Sequence, residues 1–487
     1  MELAPTSLRP SSPAEPESTA DVLRLPRPRV VAAAPLLAVL GLLVLVNLPR
    51  LGAASWVFHS GRVEPDGILG PLVSLTRGHW NAGPLKMAAV LAGLLLVLAV
   101  PFARERWTAR RALVVTAIVV GLLTVPGVFL QAALRDASEP WFYTNDSTYQ
   151  IELAGDLVLK GESPYGYDYR GTGLDRFYSL NGTPVPTHKA LDHFAYFPGT
   201  ALSSAGWRLL PPPFDDYRFL VLLATLGLIP AALLFAGPLT VRLALGAALA
   251  ANPMIIQAAW FGTADAPSLL CLVLSFALAS RSRFVWAAVC LAVAILLKQF
   301  ALVAIPFLAA MLLTSRGGRQ GFGRAAGAFA GVVIAGALPF LISSPSAFWA
   351  DTVGYGTGDY RIVGYGLAPL LVHLDLVANR SAAYPFGLLV LVIWLPVTLW
   401  LVHNQLRSRL PWAGAAGFAA SIFLLFFLGR VFQASYLLWP LTGMAVAAAL
   451  AVAQTASGTS TTNVDPRPGS ERTEIRPRMR STSSLLM

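Results

Sequence analysis

Five groups of residues have the types and spacing to do chemistry. Asp146 lies in WFYTNDSTY, where an apolar run gives way to polar sequence. A carboxylate there can take a proton from a hydroxyl. It can equally cap a helix, as can Asn145 or Ser147. Lys298, in LLKQF, lies between two apolar runs. A lysine so placed is costly unless it is paired or reaches the membrane interface, and its ammonium suits a phosphate. Asp265, in FGTADAPSLL, reads as an N-cap ahead of Pro267 or as a polar site group. Arg430, Gln433 and Tyr436, in GRVFQASYLLW, form either an interfacial belt or an edge for phosphate or sugar. His188, Lys189 and His193 precede AYFPG and read first as solvated loop residues.

The elements that hold these residues must be membrane helices. The chain has 487 residues, of which 55% are hydrophobic and 13% charged, and its mean hydropathy is +0.62. A soluble domain carries roughly 25% charged residues. Twelve apolar runs approach or reach a bilayer-crossing length, near 30–48, 84–102, 112–134, 217–236, 242–257, 266–280, 284–297, 300–314, 325–342, 385–402, 411–428 and 436–453. The expected fold is therefore an all-α polytopic membrane protein with about twelve transmembrane helices. A soluble enzyme, a disordered scaffold and an ordinary nucleic-acid binder are excluded.

Net charge is +11, and its distribution matters more than its sum. With both termini cytoplasmic, the inside connections sum to +13 and the outside ones to −2. Short inside loops rich in arginine obey the positive-inside rule, so the basic excess is a topology signal and no nucleic-acid partner is expected. Residues 1–29 and 454–487 read as polar tails, and no cleavable signal precedes the first span. Cys271 and Cys290 fall inside spans and read as buried thiols. The prevalence of arginine over lysine, with abundant Ala and Gly, reads as bacterial, hence a plasma membrane.

Two long connections face outward, 135–216 and 343–384, with 49–83 a third. The first holds 11 of the 25 acidic residues, and a loop of that length is usually functional. Within it, 147–160 reads as an amphipathic helix ended by Gly161. Tyr149, Leu153, Ala154, Leu157 and Val158 form its apolar stripe and Glu152, Asp156 and Lys160 its polar one. It is expected to lie on the membrane surface. Residues 197–211 read as a second interfacial or half-inserted helix. No haem ligand lies mid-span, no phosphate-binding glycine loop appears, and acids of the proton-relay kind are missing from span centres. No cofactor is expected, and no ligand spacing marks a divalent metal.

NDSTYQIELAGDLVLKGESPYGYDY resembles the first-loop signature of the integral-membrane C-class glycosyltransferases. In this chain the matching residues are Asp146, Tyr149, Gly161, Pro164 and Tyr165. HFAYFPGTALSSAGWRLLPPP, with His193 and Tyr196, is similar to the helix that follows. The stretch from Phe261 to Leu308, which holds Asp265 and Lys298, resembles the middle spans, and VFQASYLLWPL the last hairpin. The likeness covers roughly 112–453, and within the class it is to bacterial α-mannosyltransferases that use polyprenyl-phosphate-mannose. It differs in having two additional spans at the start and Thr263-Ala264-Asp265 where relatives often carry Gln.

The resemblance implies a C-class glycosyltransferase fold whose first outer loop is catalytic. It implies Asp146 as general base, an inverting one-step displacement, and a polyprenyl-phosphate sugar donor with a lipid or glycan acceptor. Tyr149, Tyr165, His193, Tyr196, Asp265, Lys298, Arg430, Gln433 and Tyr436 are the substrate-binding candidates. A transporter or flippase of a lipid-linked saccharide, a pyrophosphate-dependent ligase and a non-catalytic membrane protein are the competing readings.

Overall fold

The computed structural model describes residues 30–53, 82–103, 106–136, 138–180, 183–184, 188–315 and 318–456. The expected tail 1–29, most of the expected 49–83 loop and the tail beyond 456 lie outside the described residues. Among the described residues each of the twelve apolar runs is mainly helical, the first opening on the short strand Val30–Ala32. Among the described residues, five helical stretches are long and apolar enough to cross a membrane: Ala109–Ala133, Gly318–Ser343, Phe386–Ser408, Pro411–Leu428 and Ala434–Thr455. The pair Leu239–Ala251 and Pro253–Phe261, bent by 46°, makes a sixth if counted as one span. Among the described residues, length and composition thus identify five or six crossings, and the other apolar helices do not meet that test over their described side chains.

The bend has a local cause. Asn252 takes an extended conformation, its side chain accepts from the amides of Met254 and Ile255, and Pro253 starts the next helix without an amide to satisfy. A second break falls at Lys298. Phe284–Leu297 stops there, Lys298 is extended, and a 3-10 turn over Gln299–Ala304 leads into Ile305–Thr314. Both interruptions leave polar backbone away from the helical ladder, which a membrane protein tolerates where protein surrounds it.

Short strands tie connections together. Val30–Ala32 pairs antiparallel with Arg106–Thr108 at one end of the bundle. At the other end Val363–Gly364 runs parallel to Val431–Phe432, joining the second long loop to the last hairpin. Gly364 has a positive φ of 96°, and a Cβ there would lie 1.9 Å from the Phe432 carbonyl oxygen, so only glycine permits this approach.

Following the helix directions places the charges. Among the described residues, every Asp and Glu lies toward the end that holds Asp146. The opposite end holds Arg106, Arg110, Arg111, Arg242, Arg281, Arg283, Arg319, Arg324, Arg407 and Arg409. Charge is therefore segregated along the bundle axis in space as well as along the sequence. Cys271 and Cys290 are free thiols.

The helix expected over 147–160 runs Asp146–Leu159, and Gly161 follows it at φ +78°. Its environment differs from the expectation of a helix resting on lipid. Tyr149, Ile151, Ala154 and Leu157 are buried against protein, and so is Glu152 of the supposed polar stripe. The second interfacial stretch forms Pro198–Trp207, which covers that helix. A Cβ on Gly155 would lie 2.6 Å from Ser204 Oγ, so the two helices touch at glycine.

Candidate functional site

Asp146 is freed for chemistry by its neighbour. Asn145 is the N-cap, accepting from the Thr148 amide at 2.7 Å. Asp146 Oδ1 accepts from the Ser147 amide at 2.8 Å, and Oδ2 accepts from the Tyr178 hydroxyl at 2.8 Å. The Tyr178 ring stacks on His188, centroids 4.0 Å apart and planes 7° from parallel. Burial, then the charge of Asp146, raises the Tyr178 phenol above its ordinary value, so it stays a donor to the carboxylate. Burial, then the charge of Arg361, holds His188 below the ordinary imidazole value.

A buried charge network sets this segment in place. Arg135 meets Glu152 Oε1 at 2.9 Å and Asp216 Oδ2 at 3.0 Å. Asp216 also accepts from Arg218 Nε at 2.8 Å, and Arg218 has no exposed surface. Arg218 Nη1 then donates to the carbonyl of Tyr143 at 2.7 Å, three residues before Asp146. Thr148 donates its hydroxyl to the Phe261 carbonyl, pinning the first turn of the helix to the bent pair. Glu152 is inside because Arg135 is there to neutralise it. Its i, i+4 spacing with Asp156 and Lys160 carries no information about that distant partner.

Three separated motifs converge next to this segment. Lys298 Nζ is 2.7 Å from Asp265 Oδ1, and Trp439 Nε1 donates to the same oxygen at 2.8 Å. Asp265 is 2% exposed and Lys298 7%, so the lysine is paired in the interior and does not reach out to an interface. Ala264 occupies the N-cap position and makes no side-chain cap hydrogen bond. Asp265 is thus an ion-pair partner rather than a cap. Phe300 packs edge-on against Tyr436 and Trp439, at 5.0 and 5.6 Å, and Lys298 Nζ lies 5.3 Å from its centroid. Tyr196 links the two halves. Its hydroxyl donates to Ser147 Oγ at 2.8 Å, and burial first, then the charges of Asp146 and Asp265 on either side, raises its phenol above the ordinary value.

The other candidates fall elsewhere. His193 Nδ1 lies 2.7 Å from Asp351 Oδ1, and its ring stacks on Tyr355. Asp351 also accepts from the Gly166 and Phe194 amides, which fastens the second outer loop onto the first. Tyr165 is buried among Phe194, Phe340 and Phe348, with its hydroxyl on the Tyr196 carbonyl. Tyr149 donates to the Thr172 carbonyl. Arg430 is buried, with Nε donating to the Tyr360 carbonyl and Nη1 to the Ala382 carbonyl. Tyr149, Tyr165 and Arg430 therefore hold loops in place. Gln433 is exposed beside the turn that carries Tyr436.

Sequence reading did not single out Tyr178, Asp351 or Arg361. Tyr178 lies 32 residues beyond its partner Asp146 and Asp351 lies 158 beyond His193, and no local periodicity joins residues so far apart. The density of tyrosines in the first loop was the one available signal for Tyr178.

No curated protein and no solved structure matches this chain. Residues 194–429 match the model of glycosyltransferase family 87. That stretch covers close to half of the chain and contains Tyr196, Asp265 and Lys298, while Asp146 precedes it. Carried on helices long and apolar enough to cross a bilayer, the match supports a membrane glycosyltransferase.

Proposed function

We propose that the chain transfers a hexose, mannose by resemblance, from a polyprenyl-phosphate donor to a lipid or glycan acceptor on the non-cytoplasmic side of a bacterial plasma membrane. Asp146 is the general base, and the anomeric carbon is inverted. The observation that carries this reading is the Asp146 carboxylate itself. Asn145 relieves it of capping, Tyr178 and the Ser147 amide orient it, and it lies at the acidic end of the bundle beside the Asp265–Lys298 pair. In the reaction the acceptor hydroxyl attacks the anomeric carbon while its proton passes to Asp146. The carbon–oxygen bond to the lipid phosphate breaks, and the phosphate leaves with the electron pair. Lys298 is the candidate cation for the leaving phosphate.

The arginine-rich end supports placing the site outside, because positive loops stay cytoplasmic. Nucleotide sugars are not available there, whereas a lipid-borne sugar brings both an activated carbon and an anchor in the bilayer. The test is to supply the purified chain, in vesicles, with radiolabelled polyprenyl-phosphate-mannose or with a nucleotide-mannose, and to fractionate lipids and glycans. Label should move only from the lipid donor. Transfer from the nucleotide sugar, or movement of donor across the bilayer with no new glycosidic bond, overturns the proposal.

The ion pair provides a separate check on Lys298. Asp265→Leu strands a buried ammonium and the Trp439 indole N–H and should cost ~3–5 kcal/mol of stability, whereas Asp265→Leu with Lys298→Met should recover the part that comes from the ammonium. If the double variant melts near the parent yet loses transfer, the pair serves the reaction rather than the fold. If it melts near the parent and keeps full turnover, the pair is structural only.

A further inference from the structure

A cavity lies at the opposite end of the bundle from Asp146. It has a volume of about 440 Å³ and is bounded by Phe235, Gly237, Pro238, Leu239, Arg242 and Arg281. Two guanidinium side chains therefore border one concavity, and no Asp or Glu lines it. Its walls are well anchored. Arg242 Nη1 donates to the Leu233 carbonyl at 2.8 Å, at the end of helix Tyr217–Leu233. Gly237, at φ +101°, lies so close to the last helix that a Cβ would come within 3.0 Å of Ala453 Cβ.

The electrostatics of the cavity are unusual for a cation. Helix Leu239–Ala251 begins at its wall, with no acid in the first turn and no side-chain cap from Pro238. The partial positive charge of a helix N-terminus attracts anions and disfavours cations. Arg242 is nonetheless buried just inside that terminus. The exposed Arg281, at the end of helix Asp265–Ser280, brings a second positive charge to the same space. An anion in the cavity would complement all three. Position decides what carries that anion. The apolar helices Tyr217–Leu233 and Asp265–Ser280 both end here, at the arginine-rich end of the bundle, and the half-buried Leu239 supplies apolar surface beside the charges, a setting that suits a phosphate carried on a lipid.

We propose that this cavity binds the phosphate of an anionic membrane lipid, at a site separate from the transfer chemistry. The test uses the full chain purified in a neutral detergent and titrated with phosphatidic acid. Native mass spectrometry and tryptophan fluorescence read the binding. One saturable site is expected. Arg281→Gln, an exposed change at a helix end that leaves packing alone, should weaken it about fivefold, the effect of removing one surface arginine from a lipid phosphate. Arg283→Gln, exposed two residues away and outside the cavity, should leave it unchanged. Arg242→Gln should weaken binding at least as much as Arg281→Gln. An unaltered affinity in Arg281→Gln overturns the proposal, as does an equal loss in Arg283→Gln, which would indicate a diffuse surface field. Equal binding of phosphatidylcholine, or displacement by inorganic phosphate at matched concentration, overturns the choice of an anionic lipid. None of these outcomes depends on which reaction the Asp146 end performs.

Discussion

Asp146→Asn should reduce transfer by roughly 10²–10⁴-fold, the range associated with loss of a positioned general base. The substitution is isosteric. The amide oxygen can still accept from the Ser147 amide, and helix capping rests on Asn145, so the chain should express and melt like the parent. That separation makes the experiment decisive, because loss of activity cannot be attributed to loss of the helix. Turnover at parental rate in Asp146→Asn would remove the base from this position. Tyr178→Phe is the companion measurement. It deletes the hydroxyl that orients Oδ2 and keeps the ring that stacks on His188. A fall in kcat of about tenfold with little change in KM is expected of a lost neutral hydrogen bond that orients the carboxylate.

The largest structural effect is expected at Arg218. Its side chain is fully buried, Asp216 partners it, and it donates to the Tyr143 carbonyl. Truncation to alanine leaves Asp216 with Arg135 alone, opens a cavity and frees a buried carbonyl. Breaking a buried ion pair from one side costs ~3–5 kcal/mol. The unfolding midpoint of Arg218→Ala in detergent should drop sharply. Arg208→Ala is the contrast. Arg208 pairs with Asp156 and Asp215 nearer the surface, and such pairs are worth roughly 0–1 kcal/mol. If both variants melted alike, the buried network would not be what fixes the approach to Asp146.

The convergence of distant motifs explains why some residues were easier to assign than others. Lys298 looked costly from sequence because a lysine between apolar runs needs a partner. The partner, Asp265, lies 33 residues away, and the intervening helices had to fold back before the two could meet. Arg430 looked equally free and is not. Two carbonyls of a loop that precedes it in the chain hold its Nε and Nη1. The same uncertainty surrounded Glu152, whose spacing marked it as solvated until Arg135 was brought beside it.

From the sequence by itself follow the membrane class, the apolar helical segments, the segregation of arginine from acidic residues, the helix over about 147–160 and its stop at Gly161. Each depends on composition or on periodicity within a few turns, and such signals survive without knowledge of the fold. The tertiary structure alone decided which of Asn145 and Asp146 caps, that Tyr178 holds the carboxylate, that Asp265 neutralises Lys298, and that Tyr165 and Arg430 are occupied elsewhere. Those outcomes turn on contacts of a few ångströms between residues tens to hundreds of positions apart. Side-chain chemistry says only that a partner is needed, and the packing of helices determines which one arrives.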